Sequence, residues 1–199
     1  MLTTNRKVQR EKQVSLSKKL LDRYNEGYNI YRSYVNSDNW SLFKAIENVD
    51  RDKVFGDFGC LDGSVAYMFS KTCKKSYGFD LTEVTQDITF KYPNLEYIGI
   101  DLDETFPEKI VFDTILIIDV LEHLYFDKKF LEQCYESLHK NGRMILSVPI
   151  MEAIDGTFFR LYTVSDIRKR VAGTGFTIID EYVNRSDTNT QIHLILRKQ

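Results

Sequence analysis

The residues best suited to chemistry cluster where apolar runs end. The first such place is Val54-Phe-Gly-Asp-Phe-Gly-Cys-Leu-Asp-Gly63, in which Asp57, Gly59 and Gly63 occupy a turn following a short apolar stretch. A strand-to-helix turn of this kind is where open parallel sheets bind ligands, and glycine lets backbone approach a ligand closely. The dinucleotide pattern GxGxxG is not met, because Leu61 and Ser64 stand at its second and third glycine positions counted from Gly59. Asp57 and Asp62 flank the turn, and two carboxylates oppose a pyrophosphate, so a cationic ligand suits it better. No phosphate-cradling P-loop pattern occurs in the chain, which argues against nucleoside triphosphate hydrolysis.

Three further strand ends carry acids. Asp80 lies 21 residues beyond Gly59, about where a carboxylate can take both hydroxyls of a ribose; capping a helix that starts near Thr82 is the alternative. Asp101 and Leu102 suit an adenine amino group and an apolar ring face, or else form a solvated acidic loop. Asp119, Glu122 and His123 follow the fourth run, and the imidazole, which titrates near neutral pH, is the candidate general base. The alternative is that Glu122 and His123 only organise their loop by hydrogen bonding.

The elements that must position these residues alternate. Strands are expected at 53–58, 75–80, 95–100, 112–118 and 143–148, with helices near 63–72, 82–91 and 127–139, which implies a parallel sheet. FDTILII and RMILSV carry almost no polar alternation, as central strands covered on both faces require. A helix near 164–172, capped by Thr163 or Ser165, leads to FTIIDEYV, a polar turn and QIHLILRK, an antiparallel edge hairpin. His139 reads as a helix-end cation and His193 as a strand residue. Residues 1–52 read as a basic arm followed by a helical cap, and 53–199 as one compact unit. Within the cap, Tyr24, Tyr28 and Tyr31 recur at helical spacing.

Taken in order, DFGCLDG, GFD, IDLDETFP, FDTILIIDVLEHL and FLEQCYESLHKNGRMILSVP resemble the class I S-adenosylmethionine-dependent methyltransferases, over about residues 53 to 197. The resemblance implies an α/β, Rossmann-like fold: a seven-stranded sheet in the order 3-2-1-4-5-7-6, with strand 7 antiparallel. It implies S-adenosylmethionine as cofactor, with Asp57, Gly59, Cys60, Leu61 and Gly63 around its methionine part and Asp80 with Leu81 on the ribose. Asp101 and Leu102 would hold adenine, and Asp119 and Val120 would lie near the methyl group. Leu61 departs from the family, which usually has glycine there. Arg32 is the candidate partner of the cofactor carboxylate, with a surface ion pair as the alternative.

Asp119, Glu122 and His123 also resemble the start of the metal site of small-RNA 2′-O-methyltransferases. GTFFRLYTVSDIRKR supplies no further histidine, and Ser147-Val148-Pro149 replaces the acidic pair of catechol-type enzymes, so no metal is expected. Phe158, Phe159, Arg160 and Tyr162 are candidates for stacking on an acceptor and recognising an anionic group, or else plug the loop from beneath.

Composition bounds the class. The chain has 199 residues, 43% hydrophobic and 28% charged, enough for one buried core. Lys and Arg total 27 against 29 Asp and Glu, so there is no overall field to draw in nucleic acid. Residues 1–23 nevertheless hold seven basic side chains against two acidic ones, a run that is either a phosphate-contacting arm or a solvated terminus. Three widely spaced cysteines make neither a disulfide framework nor a paired zinc site, which fits a reducing cytosol. With no apolar run of membrane length, a cytoplasmic enzyme acting on a small-molecule or glycan hydroxyl is expected. An RNA methyltransferase and a non-catalytic nucleoside-binding module are the alternatives.

Overall fold

The computed structural model describes residues 52–150, 158–184 and 190–199, together with Val8, Glu11, Lys12, Val14, Ser15, Lys18, Lys44 and Ala45. Arg32, the three tyrosines and most of the arm and cap lie outside the described residues. The order of elements is β1 (Val54–Phe58), α1 (Ser64–Ser70), β2 (Lys75–Asp80), α2 (Thr82–Thr85), β3 (Leu95–Gly99) and β4 (Phe112–Ile118). There follow a 3₁₀ turn (Leu121–His123), α3 (Asp127–Ser137), β5 (Leu138–Pro149), α4 (Val164–Ala172), β6 (Thr177–Asn184) and β7 (Gln191–Arg197). The strands form one sheet in the order β3-β2-β1-β4-β5-β7-β6, with β7 antiparallel to both of its neighbours.

The unbroken apolar runs of β4 and β5 divide between two cores, as a sheet covered on both faces demands. Ile115, Ile117, Met144 and Leu146 join Phe130, Leu131, Ile167 and Val171 on one face. Leu116 and Ile145 join Phe55, Val65, Phe69 and the helical Ala45 on the other. Phe58, immediately before the glycine turn, stacks on Phe79 at 4.5 Å and meets the edge of Phe130 at 5.6 Å, so the floor beneath that turn is aromatic and rigid.

Three expectations need correction. The helix read over 82–91 is only the single turn Thr82–Thr85, because Phe90 stacks on Tyr67 at 4.9 Å and Pro93 disfavours helix before it. The helix read to 139 stops at Ser137, and β5 starts at Leu138 rather than at 143. Its register shifts between Phe112↔Leu138 and Thr114↔Arg143, where Asn141 takes a left-handed φ of 64°. His139 is therefore a residue of this irregular lead-in, not a helix-end cation. His193 is a buried strand residue, and burial lowers its pKa to about 4. Thr163, not Ser165, caps α4, in a reciprocal capping box with Asp166.

Candidate active site

The parallel strands bring Asp57, Asp80, Asp101 and Asp119 to their carboxyl ends. At the first turn Gly59 and Gly63 have φ of 80° and 75°, and neighbouring side chains close in on both. A Cβ on Gly59 would come 2.2 Å from Val120 Cγ2, and one on Gly63 would come 2.5 Å from the Tyr97 ring. Glycine is thus required here by backbone conformation and by contacts within the protein. Leu61 also adopts a left-handed φ, 47°, an arrangement that costs an L side chain roughly 1–2 kcal/mol. Its N–H is held by Asp80 Oδ2 at 2.9 Å, while the N–H of Leu81 donates to Asp80 Oδ1 at 2.8 Å. Asp80 consequently joins two turns and does not cap α2, whose N-cap Leu81 has no side-chain cap bond.

Asp57 is nearly buried, and one of its oxygens, Oδ2, has no hydrogen-bond partner among the described residues. Burial first, then Asp62 and Asp80, push its pKa up to about 8. Burial likewise raises Asp80 and Asp62. A buried acceptor without a donor, beside two further acids, fits a ligand that brings a positive charge. Cys60 contributes backbone rather than thiol to this turn. Its sulfur packs against the face of β2, 3.0 Å from where a Cβ on Gly78 would sit.

Asp101 Oδ1 accepts the N–H of Asp103 at 3.0 Å, and Leu102 is buried in the aromatic core. Asp103 was not singled out from the sequence. Its two oxygens accept the N–H groups of Phe126 and Tyr125 at 2.8 and 3.0 Å, tying the loop after β3 to the loop after β4.

Asp119 carries a left-handed φ of 53° at the tip of β4, the kind of strain that functional sites store. Gln191 Nε2 donates to both of its oxygens, at 3.0 and 2.8 Å, and Ser147 Oγ donates to Oδ1 at 3.2 Å. Burial nevertheless pushes Asp119 up to about 6. Glu122 is raised well above the ordinary range by burial and then by Asp119, and its Oε2 has no hydrogen-bond partner among the described residues. His123 differs in access: its side chain is 23% exposed against 1% for Glu122, and the two stand 3.9 Å apart. Its ring meets the edge of Phe158 at 5.1 Å. Ser147 was legible as a polar residue ending an apolar run; Gln191, 72 positions from Asp119, left no sequence signal.

The acceptor candidates divide. Phe158 faces His123, whereas Tyr162 is buried and donates its hydroxyl to Asp127 Oδ2 at 2.6 Å. Arg160 contacts Asp127 Oδ1 at 3.2 Å and donates to the Tyr125 carbonyl at 2.7 Å. Tyr162 therefore acts as a strut, and stacking on an acceptor is not open to it in this arrangement. Among the described residues no group of three or more His, Cys, Asp or Glu side chains is placed to hold a metal, and no helix is long and apolar enough to cross a membrane.

Residues 56–146 match the family model described as a methyltransferase domain, the stretch that contains all four strand-end acids. The chain carries a methyltransferase domain over these residues. Solved methyltransferases share its fold. The TehB-like enzyme of Corynebacterium glutamicum superposes with a TM-score of 0.70 at 16% identity, over 93% of this chain and 99% of that one. Magnesium protoporphyrin IX methyltransferase of Synechocystis PCC 6803, with bound S-adenosylhomocysteine, gives 0.64 at 19% identity over 81% of each chain. The N-methyltransferase NodS of Bradyrhizobium japonicum, also with S-adenosylhomocysteine, gives 0.62 at 13% identity over 74% of this chain and 79% of that one. No curated protein matches the methyltransferase by sequence.

Proposed function

We propose that this methyltransferase acts on a hydroxyl of a small molecule or glycan in the cytoplasm, with His123 as the general base. The observation that carries the reading is the difference in access at the tip of β4: His123 is partly exposed, while Glu122 beside it is buried and raised, and half-buried Asp119 is raised with it. S-adenosylmethionine, when bound, supplies an activated methyl group on sulfonium. The chain's residues then have two tasks, to hold the reactants in line and to take the hydroxyl proton.

Asp57, with its unpartnered oxygen, would take the ammonium end of the cofactor, and the backbone of Gly59, Cys60, Leu61 and Gly63 would line its methionine part. Asp80 and Leu81 would lie at the ribose, Asp101 and Leu102 at the adenine, and Val120 beside the methyl group, with Arg32 as the candidate for the cofactor carboxylate. Asp119 is locked by Gln191 and Ser147, which makes it a fixed wall rather than a moving acid. At His123 Nε2 or Nδ1 the imidazole would accept the acceptor proton, with Phe158 packing at the ring edge.

A screen of hydroxyl acceptors with radiolabelled methyl donor, followed by His123→Ala, tests this. The expected loss in rate is about 10²–10⁴-fold with S-adenosylhomocysteine affinity retained. Near-native turnover by His123→Asn with a flat pH–rate profile would remove the base and leave positioning alone.

A further inference from the structure

Beside the His123 turn lies a cleft of about 550 Å³ between the start of α3 and α4, lined in part by Lys128, Arg160, Lys169 and Arg170. Its floor is Asp127, which is buried and takes the Tyr162 hydroxyl, Arg160 Nη1 and Arg170 Nε at 2.6, 3.2 and 3.2 Å. In a chain with net charge −2, four cations around one concavity are a local reversal of sign. Asp166 on the wall and Asp127 on the floor leave two positive charges, and Lys128 also meets the rim residue Glu132 at 3.5 Å.

Asp127 takes one nitrogen from each arginine, Nη1 of Arg160 and Nε of Arg170, and the Tyr125 carbonyl takes Arg160 Nη2. Lys128 and Lys169 remain as point charges, the form in which lysine binds phosphate. Arg160 Nε is in addition a buried donor without a hydrogen-bond partner among the described residues. One short segment joins the cleft to the proposed reaction centre: Phe158 abuts His123, Phe159 N–H donates to the Glu122 carbonyl at 2.8 Å, and Arg160 lines the cleft. An acceptor reacting at His123 therefore has a short path along 158–160 into the basic cleft.

We propose that this cleft holds the phosphate of a phosphorylated acceptor, an inference that rests on the His123 turn being the point of methyl transfer. Lys128 and Lys169 are exposed, so charge reversal there spares the fold, whereas arginine variants would orphan buried Asp127. Titration calorimetry of the full chain, with S-adenosylhomocysteine present, would compare phenyl phosphate, phenol and inorganic phosphate. Phenyl phosphate should bind more tightly than either of the others. The double variant Lys128→Glu/Lys169→Glu should weaken it about tenfold or more while leaving S-adenosylhomocysteine affinity unchanged. Equal binding of phenyl phosphate by variant and wild type, or of phenol and phenyl phosphate by the wild type, would overturn the proposal. Inorganic phosphate binding as tightly as phenyl phosphate would overturn the acceptor assignment by showing an anion site with no place for the rest of the molecule. If His123→Ala keeps full turnover, the reaction-centre reading fails, and the phosphate comparison still decides the cleft separately.

Discussion

Replacing Asp57 by Asn should flatten the fall in stability of the ligand-free protein between pH 6.5 and 8. In the folded chain Asp57 titrates at about 8, against 3.8 for the free side chain. Between those values the folded state keeps a proton that the unfolded state has lost, so stability declines as pH rises through the window. His193, lowered from 6.5 to about 4, drops out above pH 6.5, while Asp119, Asp62 and Asp80, all raised by burial, are present in both proteins. Over the 1.5 units that remain, a group titrating at about 8 costs on the order of 1.5–2 kcal/mol, at 1.36 kcal/mol per unit of fully retained proton. Glu122 adds its own slope to both proteins, so the quantity to read is the difference between wild type and Asp57→Asn. Urea denaturation at pH 6.5, 7, 7.5 and 8 measures it, with a constant m-value as the check that unfolding stays two-state. The same titration should couple to ligand: S-adenosylhomocysteine should bind the wild type more tightly as pH rises toward 8, since its ammonium favours ionised Asp57, and Asn should abolish that trend. Identical slopes in the two proteins would refute the reasoning, because they would show that Asp57 is already ionised or is reached by water.

Two further substitutions probe the turns around it. Asp80→Ala should weaken S-adenosylhomocysteine by about 1.5–3 kcal/mol in calorimetry, and should also lower Tm because the Leu61 and Leu81 N–H groups lose their acceptor; unchanged affinity would remove Asp80 from the site. Gly59→Ala should destabilise the protein by about 2–5 kcal/mol in chemical denaturation, from the left-handed φ and the clash with Val120, and a loss below 1 kcal/mol would mean that the turn relaxes easily.

What the sequence determined by itself was whatever depends on near neighbours. Unbroken apolar runs at β4 and β5 require burial on both faces, and alternation with helical periodicity requires parallel strands, so the sheet and the positions of four acids at strand ends follow from local pattern. The capping box at Thr163 and the tail hairpin are local in the same sense. The acids' chemistry was not local. Whether Asp57 carries a proton depends on how completely the surrounding elements exclude water, and no spacing encodes that. Asp119 is fixed by Gln191 from the far end of the antiparallel pair, a register set only when β7 docks on β5. Arg160 and Tyr162, which read as acceptor-facing from an aromatic-rich loop, were claimed by Asp127 because a buried carboxylate at the start of α3 must be neutralised by whatever folds over it. Folding brings these partners together from 33 to 72 residues apart, a range over which side-chain type constrains chemistry and only tertiary structure assigns the partner.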